Sequence, residues 1–324
     1  MKHLLSMGVA VLALATVMVS PARAEYPDHD IHVICGYAPG TGADIIVRYW
    51  TDRWKQVIGS KAALIVDNKV GALTAIAAEG VKNAKPDGYT VFITAGNSTM
   101  ASNPFLLKEL KYDPQKDFTP VTSLMRLPFI FGVSASKPIK SMSELTAYLK
   151  EKGDKASYGY SSAFAISSTE LYQSIAGTKA VGISYKGTPE ILPDLESGAL
   201  DFISSDATLM LEWARQGKFR PLAVTFADRS SLAPDVPGMK EAGIPGFDLS
   251  AWWGVWLPKG APDDVVAKIE KDFNQIVADP KTKGDLVRLG AEPFPGNHKV
   301  LGDMVAPEMK KWGEVIKLAK IEPQ

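Results

Sequence analysis

Residues Ile31 to Ile46 read IHVICGYAPGTGADII, and this stretch combines three local signals. The first five residues are mostly apolar and β-branched, which predicts a strand. A turn rich in glycine and proline follows, and the next apolar residues recur at helical spacing. The stretch therefore predicts a strand that turns directly into a helix, the repeating unit of α/β proteins.

Short apolar strands and amphipathic helices alternate along the chain, which indicates an α/β protein with mainly parallel sheets. The predicted strands lie at 31–36, 63–67, 89–94, 127–133, 157–160, 200–204, 221–225 and 252–257. The predicted helices lie at 43–58, 74–83, 143–151, from 188 onward, and at 262–277, 281–289 and 302–320. We predict a further helix that Ser167 or Ser168 caps and that ends near Gly177.

The element order predicts two lobes. A chain of 324 residues is long enough for two domains of ordinary size. A late strand followed by a helix-rich tail indicates that the chain leaves the first lobe, builds the second and returns. We predict hinge crossovers near 124–128 and 249–253, a first lobe of residues 25–126 plus 251–324, and a second lobe of residues 127–250.

Residues 1–24 predict a cleaved signal peptide. Lys2 precedes an apolar stretch from Leu4 to Val19, and Ala22-Arg23-Ala24 fits a cleavage site with small residues. The alternative is an uncleaved membrane anchor, although the apolar stretch is short for a bilayer span. We expect the mature protein to be exported from the cytoplasm.

Composition excludes several functional classes. Lys and Arg total 36, as do Asp and Glu, so no net charge attracts nucleic acid. Cys35 is the only cysteine and lies among apolar residues, which predicts a buried, inert thiol. No Gly-x-Ser-x-Gly elbow and no metal-ligand spacing are present. We therefore predict no catalytic residues, no metal and no cofactor.

Three strand-to-helix turns carry candidate binding residues. In the first, Gly40 and Gly42 let the backbone approach an anion at a helix start, where amides lack partners. The second, 157–168, offers several hydroxyls, and the third combines 185–188 with Asp206 at predicted strand ends. The alternatives are simple connections, helix capping and, for Lys186, a solvated surface charge.

Many short motifs, in order along nearly the whole mature chain, resemble the substrate-binding receptors of tripartite tricarboxylate transporters, also called Bug receptors. The motifs of the first lobe are APGTGAD at 38–44 with Arg48, DNKVGA at 67–72, KPDGYT at 85–90, NP at 103–104, YDP at 112–114 and DFTPV at 117–121. Those that follow are YG at 158–159, YKG at 185–187, GKFRPLAVT at 217–225, EAGIPGF at 241–247 and WG at 253–254.

The resemblance implies a type II periplasmic binding protein fold that closes on a small carboxylate, a membrane transporter as partner, and no catalysis. The first-lobe ligand contacts that it implies are Tyr37, Ala38, Gly40, Thr41, Gly42 and Asn97. The second-lobe contacts that it implies are Ser161, Ser162, Ala163, Lys186, Gly187 and Asp206. Asp44 and Arg48 resemble supports of the loop and helix.

The second turn departs from the family pattern. Family members have several glycines and a histidine before this helix, whereas this chain has Ser161 to Phe164 and no histidine. Tyr160 and Phe164 add apolar surface, which favours a longer aliphatic or an aromatic acid.

The sequence therefore predicts a monomeric periplasmic receptor that captures a mono- or dicarboxylate and passes it to a transporter. Two alternatives remain open. One is a sensory adaptor that presents the ligand to a membrane sensor kinase, and the other is a periplasmic hydrolase.

Overall fold

The computed structural model describes residues 26–59, 62–185 and 188–323, and the predicted signal peptide lies outside them. The described helices and strands build two sheets with helices packed on their faces. No helix within these ranges is long and apolar enough to cross a membrane.

The first sheet has six strands in the order β11-β4-β10-β3-β1-β2. Its strands are β1 (Ile31–Cys35), β2 (Leu64–Asn68), β3 (Thr90–Ala95), β4 (Phe118–Leu127), β10 (Ala251–Pro258) and β11 (Glu292–Pro293). The helices of this lobe are α1 (Gly42–Ile58), α2 (Ala75–Lys82), α3 (Asn103–Leu106), α8 (Asp263–Ala278), α9 (Pro280–Arg288) and α10 (His298–Leu318), with a π-helical segment at Asn97–Ser102.

The second sheet has five strands in the order β7-β6-β8-β5-β9. Its strands are β5 (Phe129–Ser134), β6 (Ala156–Tyr160), β7 (Ala180–Ser184), β8 (Phe202–Asp206) and β9 (Phe219–Val224). Its helices are α4 (Met142–Lys152), α5 (Ala163–Ala176), α6 (Ile191–Ser197) and α7 (Ala207–Arg215).

The expectation of mainly parallel sheets is wrong. β1 is parallel to β2 and β3, and β6 is parallel to β7 and β8. The strands next to the crossovers are antiparallel to their neighbours, as β10 is to β3 and β4, and β5 is to β8 and β9. These strands enter each sheet from the other lobe, so no helical crossover sets their direction.

The chain passes between the sheets at two short connections. β4 ends at Leu127 in the first sheet and β5 begins at Phe129 in the second, so the single strand predicted over 127–133 is wrong. Pro128 separates the two strands, and it has no N–H to donate to a continuing ladder. On the return, Leu249 N–H donates to Thr225 O at 2.9 Å, and β10 begins two residues later.

Helix α10 packs against both lobes. Leu301 and Val305 in its first half join Trp252 and Trp256 in one apolar cluster on the first sheet. In its second half, Trp312 packs on Phe164 of α5 with ring centroids 5.7 Å apart. Burial of these large side chains makes α10 a link between the two lobes.

The local prediction for α5 was partly wrong. Ser162, not Ser167 or Ser168, caps the helix, because its extended backbone lets Oγ accept from Ala165 N at 3.1 Å. Ser168 lies one turn inside the helix and donates back to Ala165 O at 2.9 Å. The predicted end at Gly177 is confirmed by its left-handed conformation, with φ +65°.

We predict that Gly96→Ala destabilises the protein. A Cβ on Gly96 would lie 1.9 Å from the Trp252 ring, which is fully buried. Forcing this ring to move should lower the free energy of unfolding by about 1–3 kcal/mol, measured by urea denaturation. Gly284→Ala is the control, because a Cβ there meets nothing within 4 Å, and it should not lower stability. Equal stability of the two variants would contradict this packing argument.

Candidate functional site

The turn between β1 and α1 is organised by the buried carboxylate of Asp44. Its Oδ2 accepts from Gly40 N–H at 2.8 Å and from Arg48 Nε at 2.9 Å, and its Oδ1 accepts from Asn68 Nδ2 at 2.8 Å. Burial raises the pKa of Asp44, but the hydrogen bonds from Arg48, Asn68 and Gly40 outweigh it and lower the pKa to about 2. Asp44 therefore stays ionised and fixes the turn.

The first two amides of α1 have no partner among the described residues. Thr41 caps the helix, since its Oγ1 accepts from Asp44 N–H at 3.3 Å, and Ile45 N–H donates to Thr41 O. Neither helix capping nor a backbone bond reaches Gly42 N–H or Ala43 N–H. These two donors, at the positive end of the helix dipole, can bind an anion.

The other predicted residues of this turn have structural contacts as well. The Tyr37 hydroxyl accepts from Ala95 N–H at 3.2 Å and lies 3.4 Å from Thr94 Oγ1, and its ring packs on Trp253. Ala38 is exposed, and its carbonyl accepts from Thr41 N–H at 3.2 Å. The Gly40 amide donates to Asp44 and the Thr41 amide donates to Ala38 O, so neither is an unpaired donor in this turn.

Cys35 lies beneath this turn. Its thiol is fully buried, and burial raises its pKa to about 11. This thiol stays protonated at neutral pH, so the prediction of a buried, unreactive cysteine agrees with its surroundings.

A chain of hydroxyls lines the carboxyl edge of the second sheet. Ser161 Oγ lies 2.8 Å from Thr188 Oγ1, which lies 3.1 Å from Ser205 Oγ. Asp206 ends β8 and caps α7, accepting from Leu209 N–H at 3.0 Å. Lys186 and Gly187 lie outside the described residues, as does the side chain of Ala163.

At the start of α5, the amide of Phe164 has no partner among the described residues. Ser162 Oγ bonds Ala165 N–H instead, so capping leaves this earlier amide free. Helices α1 and α5 thus present unpaired donors, each directly after the carboxyl end of a parallel strand.

The structure brings Asn97 and Ser162, predicted ligand contacts of the two lobes, to one cavity of about 340 Å³. We call it the interlobe cavity. Its wall comes from the segment after β3, from α5 and from the end of α10. The wall residues are Leu73, Asn97, Ser98, Ser102, Leu106, Ser162, Phe164, Ser167, Trp312, Ile316 and Ile321. The other described residues of the predicted set do not line it.

Sequence reasoning missed most of this cavity. The serines after Asn97 carry no motif, and the sequence indicates Ser167 or Ser168 only as a helix cap. Trp312 lies in a helix that the spacing of apolar residues predicts, but that spacing indicates only a buried face. The wall depends on α10 reaching the second lobe, a contact between residues far apart in the chain.

Within the described residues, no group of three or more His, Cys, Asp or Glu side chains could hold a metal ion. The arrangement offers backbone amides, hydroxyls and one side-chain amide around an apolar cavity, and such groups bind and orient a ligand.

Two α/β lobes, two crossovers and unpaired backbone donors after the carboxyl ends of the strands are features of a two-lobed solute-binding protein of the type II periplasmic binding protein fold. The chain belongs to the tripartite tricarboxylate transporter receptor family, whose model matches residues 46–321. This confirms the resemblance found in the sequence.

Relatives of similar length support this assignment. A UPF0065 protein of Bordetella bronchiseptica is 31% identical, covering 99% of this chain and 96% of its own length. The protein BugT of Bordetella pertussis is 25% identical, covering 98% of this chain and 97% of its own length.

The fold of this chain is also similar to solved structures of periplasmic binding proteins. Rpa4515 of R. palustris, solved with adipate, is 29% identical with a TM-score of 0.73, covering 93% of this chain and 100% of that one. The periplasmic binding protein BugD is 29% identical with a TM-score of 0.69, covering 92% and 100%. MatC of Rhodopseudomonas palustris, with bound malate, is 27% identical with a TM-score of 0.69, covering 90% and 100%.

We predict that Asp44→Asn destabilises the protein in a pH-dependent way. The pKa of Asp44 is lowered from 3.8 to about 2, so its contribution is present above pH 4 and is lost as the pH falls toward 2. At neutral pH the variant should lose about 2 kcal/mol of unfolding free energy, measured by urea denaturation.

Asp52→Asn on the same helix is the control, because Asp52 is exposed and should contribute little. Below pH 3 the difference between Asp44→Asn and the unmodified protein should shrink. A difference that grows on acidification would refute the role assigned to Asp44.

Proposed function

We propose that the protein captures a small organic acid between its lobes and delivers it, chemically unchanged, to a tripartite tricarboxylate-type membrane transporter. The observation that carries this proposal is the pair of helix starts with unpaired amides, at Gly42 and Ala43 in one lobe and at Phe164 in the other. Backbone amides at helix starts bind carboxylates without any net charge on the protein.

The shared cavity supports closure on a ligand. Asn97 and Ser162 contribute to one wall although they follow strands of different sheets. A ligand in this region would contact both lobes and so favour the arrangement in which they approach each other. We propose that the lobes comprise residues 25–126 plus 251–324 and residues 127–250, and that they rotate at the connections around Pro128 and Ser250.

Similarity supports the ligand class and the partner. The family is one of transporter receptors, and relatives have been solved with adipate and malate. We extend both properties to this chain, and with them a periplasmic location that residues 1–24 direct through a cleaved signal peptide. The Tyr37, Ala38, Gly40, Thr41 and Asp206 contacts remain part of this proposal, as do Lys186 and Gly187.

The proposal predicts stabilisation by carboxylates. A thermal-shift screen of the purified protein should include adipate, malate, longer aliphatic acids and aromatic acids. A ligand present at about 100 times its Kd should add about 2.7 kcal/mol to the free energy of unfolding. Mass spectrometry after long incubation should recover the acid unchanged. Shifts with sugars or cations alone, or conversion of the acid, would count against a carboxylate receptor.

The amide of Gly42 can be removed with little disturbance. Gly42→Pro deletes an N–H that bonds to no described residue, and proline is favoured at the first position of a helix. Thr41 already has the extended backbone that a following proline requires, with ψ 159°. We predict that Gly42→Pro keeps its melting temperature and binds the acid at least about tenfold more weakly, by calorimetry.

Gly42→Ala is the matched control. It keeps the N–H, and its Cβ meets nothing within 4 Å, so ligand affinity should stay close to that of the unmodified protein. Equal affinity of the proline and alanine variants would show that this amide does not bind the ligand.

A further inference from the structure

Glu292 in β11 joins the two lobes through its two carboxylate oxygens. Its Oε1 bonds within the first lobe and accepts from Arg126 Nε at 2.7 Å. Its Oε2 bonds to the second lobe and accepts from Ser230 Oγ at 2.8 Å, Ser231 N–H at 2.9 Å and Ser231 Oγ at 3.0 Å. Glu292 is only 5% exposed, so these bonds are shielded from water.

The segment that carries the two serines is packed on the second lobe. Ala233 and Val236, which follow the serines, lie in one apolar cluster with Ile130 of β5. Val224 at the end of β9 donates its N–H to Pro237 O at 2.9 Å. The bonds from the serines to β11 therefore run from one lobe to the other.

The carboxylate of Glu292 is ionised at neutral pH. Burial raises its pKa, but the hydrogen bonds from Ser230 and Ser231 and the positive charge of Arg126 outweigh burial and lower the pKa. Hydrogen bonds to an ionised acceptor are stronger than those between neutral groups, and they require a defined geometry. The contact should therefore resist displacement more than apolar packing between the lobes, which has no preferred direction.

Two further contacts join the lobes close to Glu292. The guanidinium carbon of Arg126 lies 4.2 Å from the centre of the Phe226 ring, which follows β9 in the second lobe. Gly290, two residues before β11, approaches α7 so closely that a Cβ on it would lie 1.8 Å from Thr208 Oγ1. The surroundings of Glu292 thus form a packed junction between the lobes.

This junction lies beside the two chain crossovers. In the first sheet, β11, β4 and β10 are neighbours in this order. Leu127, the last residue of β4, pairs with Ala251, the first residue of β10, and Arg126 pairs with Glu292. Both crossovers and Glu292 therefore lie along one row across the same end of the sheet.

A row of three connections restricts rotation more than two connections do. Neighbouring strands are about 4.8 Å apart, so the two crossovers span about 5 Å and Glu292 widens the row to about 10 Å. Rotation of the lobes about this row leaves all three connections in place. A twist about another axis moves Glu292 away from the serines, so its bonds oppose that motion.

We infer that Glu292, with Ser230 and Ser231, acts as a third, non-covalent hinge that confines the motion of the lobes to one axis. We call these three residues the Glu292 hinge. This inference rests on the proposed rotation of the lobes and adds a positioning residue to it. A fixed axis brings the binding groups of the two lobes to the same relative position at each closure, which lowers the entropy cost of binding.

The test measures distances between the lobes in the protein without ligand. Lys55 on α1 and Lys150 on α4 are exposed, so Lys55→Cys combined with Lys150→Cys provides one site for a spin label in each lobe. Native Cys35 is fully buried and should stay unlabelled. Pulsed electron spin resonance then gives the distribution of distances between the two labels.

The variant Ser230→Ala with Ser231→Ala removes two of the three donors from the second lobe and keeps the pair of Glu292 with Arg126. We expect its distance distribution to be at least about twofold broader than that of the unmodified protein, because the lobes can then twist about other axes. Glu292→Gln should also broaden the distribution, since a single carbonyl oxygen cannot replace both carboxylate oxygens.

The variant Ser134→Ala with Ser136→Ala is the matched control. Ser134 is buried and Ser136 is exposed, as Ser230 and Ser231 are, and the two control hydroxyls lie 2.8 Å apart within the second lobe. Ser134 ends β5 at the end remote from the crossover. This variant should therefore keep the distribution width of the unmodified protein.

An unchanged width in both the Ser230/Ser231 variant and Glu292→Gln would overturn the inference, as would equal broadening in the control. A second, equally narrow distance would also overturn it, because Glu292 would then hold one of two defined arrangements and would not confine the axis. If Glu292→Gln fails to fold, the serine variant decides. These measurements use no ligand, so the carboxylate screen decides separately on the proposed function.

Discussion

Backbone amides at the start of a helix lack partners within the helix. Which of these amides are capped by side chains and which stay unpaired determines the hydrogen-bond donors that each lobe offers at the ends of its strands. Thr41, Ser162 and Asp206 cap three of the helices that follow strands. The buried carboxylate of Asp44 bonds the Gly40 amide in the turn before α1. Among the described residues, the amides of Gly42 and Phe164 remain unpaired after capping, and amides of this kind can bind an anion.

Helix α10 contacts both lobes and also lines the interlobe cavity. It packs on the first sheet through its first half and on α5 through Trp312. The same tryptophan lines the interlobe cavity. A ligand in this cavity would therefore contact a side chain that also packs between the lobes.

Local patterns predicted the first candidate turn well. The apolar run of β1, the glycine-rich turn and the helical spacing after Asp44 are all signals between near neighbours in sequence. The start of α5 is harder to predict from sequence, because Ser162, Ser167 and Ser168 are all able to cap a helix. Backbone conformation and side-chain packing decided between them. The short strand β7, with Gly182 at its centre, escaped prediction because its pairing with β6 is a tertiary contact.

The sequence by itself determined the α/β class, the two-lobed organisation and the family, because these follow from periodicity, turn residues and ordered motifs along the chain. Only the tertiary structure decided which strands run antiparallel, which amides stay unpaired and which side chains line the cavity. Asn97, Ser167 and Trp312 meet across more than 200 positions of the chain. Such meetings depend on the packing of whole helices and sheets, about which local patterns carry no information.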